Sequence, residues 1–186
     1  MKEFTGGEGG TGAAPLVFSD NVSLPFRQGF AEVFSTFADR GMHEKVVWIG
    51  SGRLGFPGEA LRAMVLGADM INVAREAMLA IGCVQAQKCH TGHCPTGVAT
   101  QSPWLMRGLD PTEKSARAAN YLVALRHDLL QLAHACGQPH PAMVGGEAID
   151  LLLDGSVLVP LWEHYGYDPS WRPSAERLDA MRLLMA

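Results

Sequence analysis

The sequence contains few charged residues, and neither basic nor acidic residues predominate strongly. Charged residues make up 18% of the 186 residues, against about 25% in typical globular domains. The 15 basic and 19 acidic residues give a net charge of −4, which excludes the basic surface typical of nucleic-acid-binding proteins. The hydrophobic fraction of 47% excludes an intrinsically disordered chain. We therefore expect a folded domain that does not bind nucleic acid.

Long apolar segments and an export signal are also missing. The N-terminus contains no apolar core of a signal peptide. The longest apolar stretch, even with glycine counted, extends only from Ala77 to Val84, whereas a membrane span needs about 18 residues. These absences predict a cytoplasmic protein with no membrane contact.

Cysteine is sparse, but its distribution is uneven. Three of the 4 cysteines lie within the single segment 83–94. In a chain without an export signal, such crowding indicates metal or redox ligands rather than a disulfide framework.

Glycine is abundant, with 21 residues, and it is concentrated in loops between predicted helices and strands. The predicted elements are a helix at 25–40, a strand at 45–49, a helix at 59–66, a strand at 69–73 and a short helix at 75–81. This alternation predicts parallel strands joined by right-handed crossovers. A doubly wound sheet and a (β/α)8 barrel both fit the pattern.

The second half of the chain begins with an irregular loop at 82–109, and a loop of this length inside a domain is usually functional. A long helix follows, with Asp110 as its cap and Pro111 as its first residue. Its predicted apolar stripe comprises Ala118, Leu122, Leu125, Leu129, Leu132 and Cys136. We expect a short helix at 147–153 and an irregularly packed tail after Gly155.

The loop cysteines Cys83, Cys89 and Cys94 have the spacing C-x5-C-x4-C, followed directly by Pro95. Thiolates suit zinc, copper(I) or iron–sulfur clusters. Structural zinc prefers four ligands with more closely spaced cysteines, so a zinc site would need a nearby histidine, His90 or His93. A three-iron cluster needs only three cysteines, and the Cys-Pro ending is typical of iron–sulfur loops.

The charge around these cysteines also favours an anionic cluster, because no acidic residue lies between Glu76 and Asp110. Zinc, and plain buried or redox-active thiols, remain open as alternatives. The fourth cysteine, Cys136, is predicted to be a small buried residue of the long helix.

Three loops, two of them rich in glycine, are candidate anion sites. Residues 50–53 (Gly-Ser-Gly-Arg) and 72–75 (Asn-Val-Ala-Arg) each follow a predicted strand and precede a helix, where backbone N–H groups can face a phosphate. Two successive loops of this type match the phosphate site of (β/α)8 barrels. Residues 9–12 follow a strand-like piece and would lie on the same face. There, Glu8 is either a candidate acid, base or hydrogen-bond acceptor, or simply an exposed loop carboxylate. Arg53 and Arg75 are candidate anion ligands or surface charges.

Three segments together closely resemble the FMN-binding synthase domain of glutamate synthase large subunits, and more particularly the stand-alone FMN-binding glutamate synthase family. These segments are Gly9–Pro15, Ser51–Pro57 and the cysteine segment Gly82–Gln101, which is the most specific of the three. The resemblance covers roughly residues 6–140.

The resemblance implies an α/β fold, namely the last strands and helices of a (β/α)8 TIM barrel. On this basis residues 1–110 form the C-terminal part of the barrel, including the cluster loop 82–109. Residues 111–186 form a helical extension and an irregular tail of the same domain.

The resemblance also implies two cofactors, FMN and a 3Fe-4S cluster. The implied cluster ligands are Cys83, Cys89 and Cys94. The implied FMN phosphate site consists of Gly50, Ser51, Gly52, Ala74 and Arg75. The residues implied to line the flavin and substrate face are Gly9, Gly10, Thr11 and Gly12.

The implied activity is that of an oxidoreductase of glutamate biosynthesis, which aminates 2-oxoglutarate reductively to L-glutamate. Ammonia, free or glutamine-derived, is the nitrogen source, and a donor protein or reductase subunit supplies electrons. The chain matches only about three of the eight barrel strands. We therefore expect either that another copy or chain supplies the missing barrel half, or that the sequence is a fragment or begins at a misplaced start codon. The alternatives are a non-catalytic iron–sulfur or zinc-binding module that needs a partner, and FMN-dependent amination of another 2-oxo acid.

Overall fold

The computed structural model describes residues 2–9 and 14–185, and its first half is built around a parallel sheet. The strands are β1 (Lys2–Thr5), β2 (Trp48–Ser51) and β3 (Met70–Asn72), in the order β1-β2-β3. Both strand pairs are parallel, with Thr5 opposite Ser51 and Ser51 opposite Asn72. The predicted alternation of helices and parallel strands is therefore confirmed.

Seven α-helices accompany the strands within the described residues. They are α1 (Leu16–Asn21), α2 (Phe26–Ala38), α3 (Pro57–Val65), α4 (Arg75–Ala80), α5 (Pro111–Ala135), α6 (Leu161–His164) and α7 (Ala175–Met185). Helix α2 connects β1 to β2, and α3 connects β2 to β3. The described residues form no closed barrel. None of the described helices is both long enough and apolar enough to cross a membrane.

An aromatic column on α2 forms the centre of the core. Phe26, Phe30 and Phe34 recur every four residues, so they share one helix face, and all three are buried. Trp48 at the start of β2 packs against this face, with its ring centroid 5.8 Å from that of Phe30. These contacts hold α2 against the sheet and so position the strand ends.

Glycines allow α2 to approach the end of β2 closely. A Cβ atom at Gly50 would lie 2.8 Å from the ring of Phe26, and one at Gly52 would also meet the Phe26 side chain at under 3.0 Å. Packing against Phe26 is therefore a sufficient reason for glycine at both positions.

Helix α5 begins as the sequence predicts, because the Asp110 carboxylate accepts a hydrogen bond from Thr112 N–H at 3.0 Å. Two members of its predicted apolar stripe are wrong: Leu122 and Leu132 are exposed. Tyr121 is half-buried instead, and its hydroxyl donates to the Gly55 carbonyl at 2.6 Å. Tyr121, rather than the predicted Leu122, therefore lies on the buried side of α5.

The helix predicted at 147–153 is wrong. Residues 146–148 form a single 3-10 turn, and residues 150–153 form the first strand of a hairpin. Strand β4 (Asp150–Leu153) pairs antiparallel with β5 (Val157–Pro160). Asp154 and Gly155 between them have φ angles of 48° and 73°, which is typical of a type I′ turn. The Asp-Gly pair between two apolar runs was the signal for this hairpin.

The C-terminal tail, expected to pack irregularly, contains β5, α6 and α7 and closes one side of the core. The Tyr167 ring stacks on Phe34 at 5.5 Å, and its hydroxyl donates to the Leu66 carbonyl at 2.7 Å. Burial raises the pKa of Tyr167, so the phenol remains a proton donor. The tail is thereby attached to α2 and to the end of α3.

Candidate functional site

Three loops leave the carboxyl edge of the sheet side by side, because the strands are parallel. Gly6 N–H, after β1, donates to the carbonyl of Ser51 at the end of β2 over 2.9 Å. The Ser51 hydroxyl donates in return to the Gly9 carbonyl at 3.5 Å. A Cβ atom at Gly9 would lie under 3.0 Å from the Ser51 carbonyl, so only glycine permits this approach.

These loops enclose a small cavity, called here the loop cavity. Its lining includes five predicted cofactor residues, Gly9, Ser51, Gly52, Ala74 and Arg75. The other lining residues are Glu8, Arg53, Asn72, Glu76 and Met78. The structure thus brings together residues from all three predicted anion loops.

Of the other four predicted residues, Gly50 is the one that the structure describes, and it does not line this cavity. Gly50 lies within β2 and packs against Phe26. Gly10, Thr11 and Gly12 lie outside the described residues, so their assignment to the flavin and substrate face remains a prediction.

The loop cavity carries two cationic and two anionic side chains. Neither Arg53 nor Arg75 forms an ion pair within residues 2–9 and 14–185. Arg75 is half-buried at the start of α4, whereas Arg53 is exposed and has a left-handed φ of 54°. A half-buried guanidinium without a carboxylate partner is well suited to an anionic group such as a phosphate.

Glu8 is a helix-capping residue. Its carboxylate accepts a hydrogen bond from Phe26 N–H at 2.9 Å, at the first turn of α2. The free N–H groups at a helix start favour an anionic acceptor. Of the three roles considered for Glu8, the structure supports the hydrogen-bond acceptor.

Replacing Glu8 with alanine should therefore lower the free energy of unfolding by about 1 kcal/mol, since a helix cap is lost. Glu8→Gln keeps an acceptor oxygen and should lose less. Glu163→Ala, at an exposed position on α6, is the control. Urea unfolding followed by tryptophan fluorescence measures all three, and equal midpoints for Glu8→Ala and the control would contradict the capping role.

Glu76 is a buried carboxylate beneath the loop after β2, and no sequence motif pointed to a role for it. A Cβ atom at Gly55 would lie 2.5 Å from both Glu76 Cβ and the Tyr121 hydroxyl oxygen. Burial, together with the negative charge of Glu76, raises the pKa of Tyr121. The protonated Tyr121 hydroxyl therefore ties this loop to α5 through the Gly55 carbonyl.

Helix α4 connects the loop cavity directly to the cysteine loop. It contains six residues and is therefore roughly 9 Å long. Met78 lines the loop cavity, and its carbonyl accepts a hydrogen bond from Cys83 N–H at 2.9 Å. One residue thus contacts both candidate sites.

All three loop cysteines are free thiols. Cys83 and Cys89 are half-buried, and Cys94 is buried. Burial raises the pKa of Cys94, but hydrogen bonds from the Thr96 hydroxyl and from backbone groups of residues 96, 98 and 99 outweigh it and lower the pKa to about 7. These hydrogen bonds therefore stabilise the thiolate form of Cys94.

The described residues contain no group of three or more His, Cys, Asp or Glu side chains arranged to hold a metal ion. His93, one candidate for a fourth zinc ligand, has its Nδ1 atom 2.8 Å from the Thr91 carbonyl oxygen. The donor set itself suits an iron–sulfur cluster, since three thiols share one loop and N–H groups around the Cys94 sulfur resemble those that tune such clusters.

Comparisons with known proteins agree with the sequence motifs. Residues 3–139 match a family model described as a conserved region in glutamate synthase. A glutamate synthase large subunit-like protein of Bacillus subtilis is 38% identical over 154 residues, which cover 82% of this chain and 29% of that protein.

Two further relatives have similar coverage. An archaeal glutamate synthase (NADPH) of Methanocaldococcus jannaschii is 38% identical over 71% of this chain and 26% of its own length. A glutamate synthase large subunit-like protein of Rhizobium meliloti is 34% identical over 73% of this chain and 34% of its own length. The chain thus spans about a quarter to a third of these relatives, and it belongs to the glutamate synthase family.

Proposed function

We propose that this chain forms the FMN-phosphate and iron–sulfur portion of a glutamate synthase-type flavoprotein. The observation that carries the proposal is the loop cavity, where three predicted anion loops meet beside Arg75 and are joined by α4 to the three-cysteine loop. The reaction would be 2-oxoglutarate, ammonia, two electrons and two protons giving L-glutamate and water.

The loop cavity would hold the phosphate group of FMN. The loop backbone at Gly9 and Gly52, both of which line the cavity, would approach the phosphate, and Arg75 would neutralise its charge. Phosphate sites of (β/α)8 barrels are built from the loops after strands 7 and 8. The loops after β2 and β3 correspond to these, so the sheet is proposed as the final part of such a barrel.

Cys83, Cys89 and Cys94 would hold a 3Fe-4S cluster. Bound together, FMN and the cluster would supply electron transfer and hydride chemistry. This chain's residues would position them: hydrogen bonds around Cys94 favour its thiolate form, and α4 sets the distance between the two sites.

The remaining barrel strands would come from polypeptide outside these 186 residues, whether a longer form of this chain, another copy or a different protein. Strands β1 and β3 each pair only with β2 among the described residues, so each presents a free edge. These edges also favour the second candidate function, a non-catalytic iron–sulfur module that docks to a partner. A cytoplasmic location and a separate electron-donor protein belong to the same proposal, and the choice between 2-oxoglutarate and another 2-oxo acid would depend on that partner.

The phosphate site can be tested by comparing FMN with riboflavin, which has the same ring but no phosphate. Quenching of flavin fluorescence should show FMN binding more tightly than riboflavin. Arg75→Gln should weaken FMN binding about tenfold, because a charge-assisted contact is lost, and should leave riboflavin unaffected. Arg27→Gln, at an exposed position on α2, is the control. Equal affinities for the two flavins would contradict the proposal.

The metal is tested on protein purified without oxygen. Bound iron together with a broad shoulder in the visible absorption spectrum would support cluster binding. Additional flavin absorption bands would support the proposal that the protein is a flavoprotein. A shoulder without flavin binding would favour the non-catalytic module. Stoichiometric zinc without colour would overturn the cluster assignment.

A further inference from the structure

The loop cavity contains a buried carboxylate, that of Glu76, which no neighbouring side chain neutralises. The residue is only 6% exposed, lies in the first turn of α4 and lines the cavity. Within residues 2–9 and 14–185 its oxygens accept no hydrogen bond and form no ion pair. A buried carboxylate without a partner is costly, so a ligand group that carries a proton would be stabilised against it.

The carboxylate end is the open part of the Glu76 side chain. A Cβ atom at Gly55 would lie 2.5 Å from Glu76 Cβ and 2.6 Å from its Cγ, so the loop after β2 covers the aliphatic stem. His43 Nδ1 is the one fully buried side-chain nitrogen or oxygen atom without a hydrogen-bond partner among the described residues. The unpartnered oxygens of Glu76 therefore retain accessible surface, and the loop cavity is the space that this residue lines.

The loop cavity has room for little more than one polar group. Its volume is about 20 Å³, and roughly 10–15 Å³ is the least that one water molecule needs. A phosphate group that reaches Arg75 in this space would therefore also lie against Glu76.

The charges of the lining do not favour a doubly charged phosphate. Arg53 and Arg75 contribute two positive charges, and Glu8 and Glu76 contribute two negative charges, so they cancel. Glu8 accepts a hydrogen bond from Phe26 N–H, whereas Glu76 has no donor. A phosphate monoester has a second pKa of about 6 and is mainly a dianion at neutral pH. Two anions in contact repel each other, and such a pair binds one proton instead.

The titratable and charged groups on α5, which packs against α4, do not supply this proton. The Tyr121 hydroxyl donates to the backbone of the loop after β2, and burial together with the charge of Glu76 raises the pKa of Tyr121. Lys114 and Arg117 both pair with Glu113. The proton must therefore come from solvent.

We propose that the loop cavity binds a phosphate monoester together with one proton, which Glu76 and a phosphate oxygen share in an O–H···O hydrogen bond. The phosphate dianion, the carboxylate and one solvent proton combine, so that one O–H bond forms and no other covalent bond changes. Charge-assisted hydrogen bonds of this kind are short and strong. This proton site rests on the proposed function, since the phosphate would be that of FMN.

The shared proton makes FMN binding dependent on pH. Above about pH 7, where both free groups are ionised, affinity should fall about tenfold for each pH unit, because one proton is taken up on binding. Below about pH 6 the dependence should level off, because free FMN already carries the proton. Flavin fluorescence titrations at several pH values measure this, and riboflavin, which lacks the phosphate, should show no such slope.

Variants separate the shared proton from a merely structural role of Glu76. Glu76→Gln keeps the shape of the side chain but carries no charge, and it should remove the pH slope of FMN binding. Glu163→Gln, at an exposed position on α6, should retain the slope. If Glu76 only supported the loop, its replacement would lower the affinity by the same factor at every pH.

Calorimetry of the unmodified protein in two buffers of different ionisation enthalpy counts the protons directly. At about pH 8, FMN binding should take up about one proton and riboflavin binding none. A preference for FMN without proton uptake, or a slope that persists in Glu76→Gln, would overturn the shared proton and leave the phosphate site intact. Weaker FMN binding on addition of EDTA at constant pH would assign a divalent cation to this place and would also overturn it. Equal binding of FMN and riboflavin at every pH would overturn the phosphate site itself and the shared proton with it.

Discussion

Replacing Phe30 with alanine is expected to lower the free energy of unfolding by about 3–5 kcal/mol. Phe30 is fully buried, and its ring lies 5.1 Å from Phe26, 6.0 Å from Phe4 and 5.8 Å from Trp48. Truncation removes the contact that joins α2 to both β1 and β2. Because small domains are stable by only about 5–15 kcal/mol, the variant should be close to unfolding at room temperature.

The control for this result is Phe18→Ala on α1. Phe18 is 57% exposed, and surface substitutions usually change stability by no more than about 0.5 kcal/mol. Urea unfolding followed by circular dichroism measures both variants. Similar losses at the two positions would contradict the assignment of the α2 aromatic column as the core.

Cys94→Ser is expected to abolish the iron that the protein retains after anaerobic reconstitution. Serine keeps the size of the side chain but replaces the sulfur ligand that iron–sulfur clusters require. The surroundings of Cys94 also lower its pKa to about 7, which favours the thiolate form that binds metal. Cys83→Ser and Cys89→Ser should have the same effect if all three hold one cluster.

Cys136→Ser is the matched control, because this half-buried cysteine follows α5 outside the cysteine loop. Its iron content should equal that of the unmodified protein. Iron analysis and the visible spectrum give the result, with circular dichroism verifying that each variant is folded. Unchanged iron in Cys94→Ser would refute the ligand assignment.

The features that sequence predicted well depend on local chemistry. Pro25 lies just before α2, Gly41 lies just after it, and Asp110 caps α5. Each of these residues favours a helix end through its effect on the backbone next to it. The convergence of the three anion loops was also predictable, since parallel strands end at one edge. Sequence alone therefore predicted five residues that line the loop cavity.

The features that were missed depend on contacts between distant parts of the chain. Tyr121 displaces Leu122 from the buried face of α5 because its hydroxyl reaches Gly55, 66 residues away. Glu76 is buried through the packing of α4 against the loop after β2, which periodicity cannot reveal. The β4–β5 hairpin is different, because its Asp154-Gly155 turn was a local signal for two strands.

The shortness of α4 has a geometric consequence for the two proposed sites. A residue inserted into this helix would rotate everything after it by about 100° and advance it by about 1.5 Å. Cys83 would then leave the helix in a different direction, while Arg75 stayed in place. The number of residues in α4 therefore determines where the thiols lie relative to the loop cavity.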